Sequence, residues 1–130
     1  MTQQLTEAQQ TFLTHYRDML SEVERSVAYV SECYIKEDYD IGDRLLKSVI
    51  ESLAAYNIEN MTMDSIFSSD AEAVQVLGEF QEAASEALNV DEVHAGEGER
   101  MHFTHEVLLP RLAAWGKVVD RYLAEINAKG

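Results

Sequence analysis

The last third of the chain carries the most regular apolar pattern in the sequence, and this pattern restricts the possible folds more than any other feature. Apolar side chains and one histidine recur there at alternating steps of four and three residues: Met101, His105, Leu108, Leu112, Trp115, Val119, Tyr122 and Ile126. Steps of this size place side chains on one face of an α-helix, which turns once in about 3.6 residues. The stretch predicts a helix that packs against other helices through this seam.

Three earlier stretches also repeat apolar residues at steps of three or four. The first seam is Phe12, Tyr16, Met19, Val23, Val27, Val30 and Tyr34; the second is Ile41, Leu45, Val49, Leu53 and Tyr56; the third is Val74, Leu77, Phe80, Ala84 and Leu88. No segment alternates apolar and polar residues as a half-buried strand does. We predict an all-α fold, an antiparallel four-helix bundle in a single domain of residues 1–130, with helices at 6–36, 40–57, 70–89 and 100–128. A short extra helix is expected between the second and third.

The ends of the predicted helices have recognisable signals. The cap candidates are Thr6 with Gln9 for the first helix, Asp38 or Asp40 for the second, Asn60 or Thr62 for the short extra helix, and Ser69 or Asp70 for the third. Residues 89–99 resemble a loop, because they contain two glycines and four acidic residues. Pro110 lacks a backbone donor and predicts a bend or a restart in the last helix.

The charge of the chain excludes two classes of partner. It has 24 acidic and 10 basic residues, a formal net charge of −14, and such a surface repels nucleic-acid phosphates and anionic lipid headgroups. We expect no nucleic-acid and no membrane partner. The single cysteine, Cys33, is expected to be a buried, inert thiol, and no signal segment or membrane-spanning run is recognisable, so a cytoplasmic location is predicted.

One constellation suggests metal chemistry. Glu99, His102 and Glu106 share one side of a helix at i, i+3 and i+7, and His105 lies close to His102 on the helix surface. Carboxylates and imidazoles are ligands of transition metals. The alternative hypothesis is therefore a metal-dependent helical-bundle enzyme with a His/carboxylate site at these four residues.

The connection between the second and third helices is unusually apolar. Its residues are Tyr56, Ile58, Met61, Met63, Ile66 and Phe67. Methionine-bearing apolar surfaces adapt to varied partners and can receive an amphipathic helix. The competing structural interpretation, which we favour for this connection, is that it folds over the core as a lid.

These observations favour a non-enzymatic cytosolic protein-interaction module. We expect it to bind another protein or a peptide helix, as an adaptor, export-type chaperone or regulator, with no catalytic residue and no cofactor. The apolar connection is the predicted partner-binding surface. A second copy of the chain is the other partner that the helix seams allow, which would make a homodimer.

Overall fold

The computed structural model describes residues 5–54, 56 and 60–129, and within these ranges every regular element is a helix, with no strand. The elements are α1 (Glu7–Ile35), α2 (Tyr39–Glu51), α3 (Met61–Phe67), α4 (Ala71–Ala87), the single turn α5 (Val90–Val93), α6 (Glu97–His102), a π-helical segment (Phe103–Leu108) and α7 (Leu109–Lys129). The predicted all-α class is confirmed. None of the helices in the described ranges is both long and apolar enough to cross a membrane.

The helix α1 begins and ends close to the predicted residues. The Thr6 hydroxyl accepts a hydrogen bond from the Gln9 amide, and the Gln9 side chain accepts one from the Thr6 amide, which completes the predicted capping box. Glu37 adopts a left-handed backbone, φ 68°, in the short turn that leads to α2. Asp38 stands at the N-cap of α2 without a side-chain capping bond.

Helix α2 differs from the prediction in length and in its buried face. It ends at Glu51 rather than at residue 57; turns follow at 52–54, and residues 55 and 57 lie outside the described part of the chain. The predicted seam is confirmed at Leu53, in the turn after the helix, and was wrong at Ile41, which is exposed, because α2 turns Asp43, Leu46 and Ile50 inward. Gly42 permits close approach to α1, since a Cβ there would lie 2.7 Å from the Tyr34 ring.

The next two helices begin as predicted. The predicted short extra helix is α3, and the Asn60 side chain accepts hydrogen bonds from the amides of Thr62 and Met63 at its start. The Asp70 carboxylate accepts one from the Ala73 amide at the start of α4. The predicted α4 seam is confirmed at Leu77 and Phe80, whereas Val74 is exposed and small residues take the remaining buried positions: Ala73, Ala83 and Ala87.

The C-terminal third is more helical than predicted. Residues 89–99, interpreted as a loop, contain α5 and the start of α6. Pro110 is the second residue of α7, so the α-helix restarts there, as predicted; a π-helical segment precedes it, in which the Leu109 amide donates to the Thr104 carbonyl five residues earlier. The wider winding of Phe103–Leu108 changes the helical phase before Pro110, so Phe103 and Thr104 are buried and His105 is exposed. The prediction that His105 belongs to the buried seam was wrong for this reason.

The long helices share one apolar core. Helix α1 packs against α2 and α7, α4 packs against α7, and α2 also contacts α4. Trp115 of α7 is fully buried, with its ring 6.4 Å from Tyr16 and 5.0 Å from Phe67, and its indole N–H donates to the Tyr16 hydroxyl at 2.8 Å. Desolvation in this environment raises the pKa of the Tyr16 hydroxyl. The predicted burial of Cys33 is confirmed.

Candidate functional site

The apolar connection after α2 is mainly part of the core. Met63, Ile66 and Phe67 are almost fully buried, whereas Met61 is 87% exposed. Asn60 fixes the start of α3, and the i, i+3 and i+4 spacing of the three buried residues then turns them to one side of that helix.

The aromatic contacts of this connection support the lid interpretation. Phe67 lies 4.8 Å from the Tyr122 ring, and Tyr56 is half-buried 5.2 Å from Tyr16. The sixth predicted partner-binding residue, Ile58, lies outside the described residues. The described connection therefore does not present the predicted six-residue docking surface: Met63, Ile66 and Phe67 are core residues, and of the five predicted residues that the structure describes only Met61 is exposed.

The four predicted metal-site residues are all exposed on α6 and the π-helical segment: Glu99, His102, His105 and Glu106. Among the residues that the structure describes, no three histidine, cysteine or acidic side chains are grouped so that they could hold a metal ion. The prediction assumed regular α-helical spacing from 99 to 106, and the π-helical winding begins at Phe103. The geometry gives the metal-dependent alternative no ligand cluster.

A nearly buried polar cluster, which sequence analysis missed, joins α1, α2 and α6. Oδ1 of Asp43 accepts from the Tyr34 hydroxyl at 2.8 Å, and Oδ2 accepts from Nη1 of Arg100 at 3.0 Å. The Asp43 and Arg100 side chains are only 12% and 15% exposed. Burial and the neighbouring Asp43 carboxylate raise the pKa of the Tyr34 hydroxyl, so that it remains a donor.

The remaining donors of Arg100 hold the segment between α5 and α6. Its Nε donates to the carbonyl of His94 at 2.9 Å, and its Nη2 donates to that of Ala95 at 3.1 Å. The His94 ring stacks on Phe103 at 4.5 Å, and its Nε2 lies 3.3 Å from Oε1 of Glu86, without the geometry of a hydrogen bond. The three hydrogen bonds of the Arg100 guanidinium thus join α6 to α2 and to the segment before α6. This is a structural role.

Helix α2 has a second apolar stripe, which runs from an exposed residue near its start to the margin of the core. Ile41, Leu45 and Val49 follow one another at steps of four residues, so they lie along one face. Ile41 is 53% exposed, and Leu45 and Val49 are half-buried. Leu45 and Val49 pack against the edge of the core and keep part of their surface exposed, so α2 has more apolar surface than the core buries.

The neighbouring α1 adds an exposed aromatic ring beside this stripe. Tyr29 is 55% exposed, and with Leu45 it lines a shallow depression of about 440 Å³, completed by Glu22, Arg25 and Ser26. We call Tyr29, Ile41, Leu45 and Val49 the outer face. A tyrosine beside aliphatic side chains on a partly solvent-exposed surface is common in protein-binding sites.

Sequence comparison identifies the family of the chain. Residues 11–118 match the family described as a domain of unknown function, DUF8042, and the chain belongs to that family. The match covers all of α1 to α6 except the first turn of α1, and it ends within α7. Searches of curated proteins and of solved structures found no match.

Proposed function

We propose that this member of the DUF8042 family is a non-enzymatic, cytoplasmic protein-interaction module, which binds a helix of another polypeptide as an adaptor, export-type chaperone or regulator. The outer face is the binding surface that we assign to it, in place of the connection after α2. The single observation that carries this proposal is the second apolar stripe of α2, which the core leaves partly exposed beside Tyr29.

Leaving these side chains in contact with water costs free energy. Apolar surface in water is unfavourable by about 25 cal/mol per Å², and a core-forming helix normally has one apolar stripe and one polar face. Ile41 and Tyr29 are each more than half exposed, and neither is part of the core cluster. A partner helix laid along the outer face would bury them together with the exposed parts of Leu45 and Val49.

We also infer that the four long helical stretches, α1, α2, α4 and the run from α6 to α7, form an antiparallel four-helix bundle. The contacts of α1 with α2 and α7, of α4 with α7 and of α2 with α4 support this arrangement. In such a bundle each helix has two neighbours, and its remaining side stays available to a partner. The outer face includes that available side at Tyr29 and Ile41, whereas Leu45 and Val49 also pack against the edge of the core.

Site-specific photo-cross-linking in the source cells tests the proposed function. A photoreactive phenylalanine analogue is placed in the full chain at position 29, 41 or 74; Val74, an exposed apolar residue of α4, is the matched control. We expect the same polypeptide, identified by mass spectrometry, to be cross-linked from positions 29 and 41 and not from 74. The proposal is overturned if positions 29 and 41 give no adduct, or if all three positions give the same set of adducts.

A further inference from the structure

The outward side of α1 has an acidic stripe that borders the outer face. Asp18, Glu22, Arg25, Tyr29 and Glu32 follow one another at steps of four, three, four and three residues, and all five are exposed. Three are acidic and one is basic, so this stripe has a formal charge of −2. Glu22 and Arg25 also line the depression beside Tyr29.

We propose that the partner helix is basic and amphipathic, with apolar side chains that pack on Ile41, Leu45 and Tyr29 and lysine or arginine side chains that face Asp18, Glu22 and Glu32. This inference rests on the proposed function and names the chemistry of its partner. The charge of the stripe has the same sign as that of the whole chain, −14, so the long-range field and the local contacts favour the same cationic partner.

The local ion pairs leave the acidic groups available. The closest approach of Arg25 to Glu22 is 4.0 Å, and both side chains are more than 70% exposed (72% and 76%). An exposed pair of this length is weak because water solvates both groups. A partner cation can therefore displace Arg25 from Glu22 at little cost, while the half-buried Leu45 supplies an apolar floor for the depression.

The size of the surface fits a short helix. The α1 stripe runs from Asp18 to Glu32, which spans about 21 Å at a rise of 1.5 Å per residue. A partner helix of about four turns matches this length, with apolar residues at i, i+3 or i+4, and i+7. The side chains at its flanks then reach the acidic stripe.

A second copy of this chain fits the surface poorly. Each copy has a charge of −14, and two outer faces brought together would oppose two acidic stripes. Like charges placed opposite one another disfavour an interface.

Three synthetic peptides of about 16 residues test the partner class. They share one apolar helical face and differ only in the polar face, which is lysine/arginine, glutamine or glutamate. Binding to the full chain is measured by fluorescence anisotropy. We expect the basic peptide to bind at least about ten-fold more tightly than the neutral one and the acidic peptide to bind least, with the preference shrinking between about 50 mM and about 300 mM salt.

Two variants test whether the preference for the basic peptide depends on the outer face and the acidic stripe of α1. The double variant Tyr29→Gln/Ile41→Gln should lose binding of the basic and neutral peptides, and Asp18→Asn/Glu22→Gln/Glu32→Gln should lose only the preference for the basic peptide. Met61→Gln, at the exposed residue of α3, is the matched control and should bind as the wild type does. Circular dichroism checks that each variant is folded.

Several results would overturn the inference that the partner is a basic helix. Together with the cross-linking result, they show whether the proposed function fails as well. Equal binding of the basic and neutral peptides, basic-peptide binding that survives in the Tyr29→Gln/Ile41→Gln variant, or loss of binding in Met61→Gln would each contradict it. So would a concentration-dependent dimer in sedimentation that Ile41→Gln dissociates. If no peptide binds while positions 29 and 41 cross-link one partner in cells, the partner is not a basic helix and the proposed function stands; if those positions give no adduct, the proposed function fails.

Discussion

The two apolar sides of α2 have nearly the same composition and different environments. The inner side places Leu46, Ile50 and Leu53 in the core, each no more than 6% exposed, whereas the outer side leaves Ile41 53% exposed. Both sides have leucine and β-branched residues at steps of three or four. The comparison teaches that helical periodicity identifies candidate faces, and that packing against the neighbouring helices decides which face enters the core.

Each side of α2 also has an acidic residue paired with arginine. On the inner side Asp43 pairs with Arg100, and both side chains are nearly buried; on the outer side Asp40 pairs with Arg44, and these side chains are 82% and 74% exposed. An ion pair taken out of water is costly to break because the remaining charge has no solvent to replace its partner, while an exposed pair is weak. The same two residue types therefore have different energetic roles on the two sides.

The largest difference between the sides is expected from apolar truncation. Leu46→Ala removes a fully buried side chain and should lower the free energy of unfolding by about 2–5 kcal/mol, because a cavity remains. Ile41→Ala should change it by no more than about 0.5 kcal/mol. Urea unfolding of both variants measures this contrast, and equal effects would contradict the assignment of the inner and outer sides.

The ion pairs should show a somewhat smaller contrast. Arg100→Ala leaves the Asp43 carboxylate with the Tyr34 hydroxyl and without its cation, and it also frees the carbonyls of His94 and Ala95. We expect a loss of about 2–4 kcal/mol in the free energy of unfolding, somewhat below that of a wholly buried pair.

Arg44→Ala is the matched control for this ion pair. It removes the arginine of the exposed Asp40 pair, so we expect a loss of less than about 1 kcal/mol. An equally large loss in Arg44→Ala would show that the difference in burial has no energetic consequence.

A third ion pair, Lys47 with Asp91, is intermediate in exposure, at 35% and 44%. Its contribution to the free energy of unfolding should depend on pH. Nζ of Lys47 lies 2.8 Å from Oδ1 of Asp91, and this contact lowers the pKa of the Asp91 carboxyl. A carboxyl whose pKa is lower in the folded state stabilises the fold above its unfolded pKa of about 4, and this contribution is lost as the pH falls through the folded value.

The variant Lys47→Met isolates this contribution. Its deficit in unfolding free energy relative to the wild type should be complete at neutral pH and should shrink below about pH 4. Urea unfolding at a series of pH values measures it, and comparison at each pH cancels the general effect of acid on this highly charged chain. A deficit that stays constant down to about pH 2.5 would contradict the contribution of Asp91.

The double variant of the outer face should have the smallest effect on stability, although it should have the largest effect on peptide binding. The variant Tyr29→Gln/Ile41→Gln changes two side chains that are more than half exposed, and its melting temperature should stay within about 3 °C of the wild type. A larger fall would mean that Tyr29 and Ile41 stabilise the fold. The second apolar stripe would then be a structural feature, and the comparison of the two sides would lose its functional meaning.

The sequence was sufficient for the all-helical class and most helix starts because these depend on local spacing and local hydrogen bonds. Thr6, Asn60 and Asp70 cap their helices through atoms within three residues of themselves. The inner stripe of α2 shows the limit of such reasoning. The buried residues Asp43, Leu46 and Ile50 also follow one another at steps of three and four, but this stripe begins with an acid, so a count of apolar residues favoured the stripe that begins with Ile41.

The polar cluster and the position of His105 required the tertiary structure. Asp43 and Arg100 are 57 residues apart in the chain, and nothing local in the sequence pairs them. His105 fits an ideal α-helical seam, and only the π-helical winding before Pro110 removes it from the core. Pro110 was the available signal, but several backbone arrangements accommodate a proline, and the sequence does not choose among them.

An NMR titration with the basic peptide most directly tests the central claim that the outer face of α1 and α2 is the docking surface. The account predicts that the amide resonances that shift are concentrated at Tyr29, Ile41 and Leu45 and at the acidic positions of the α1 stripe. The amides of α3, including Met63 and Ile66, should remain unchanged. Shifts concentrated in α3, or spread evenly over the helices, would contradict the account.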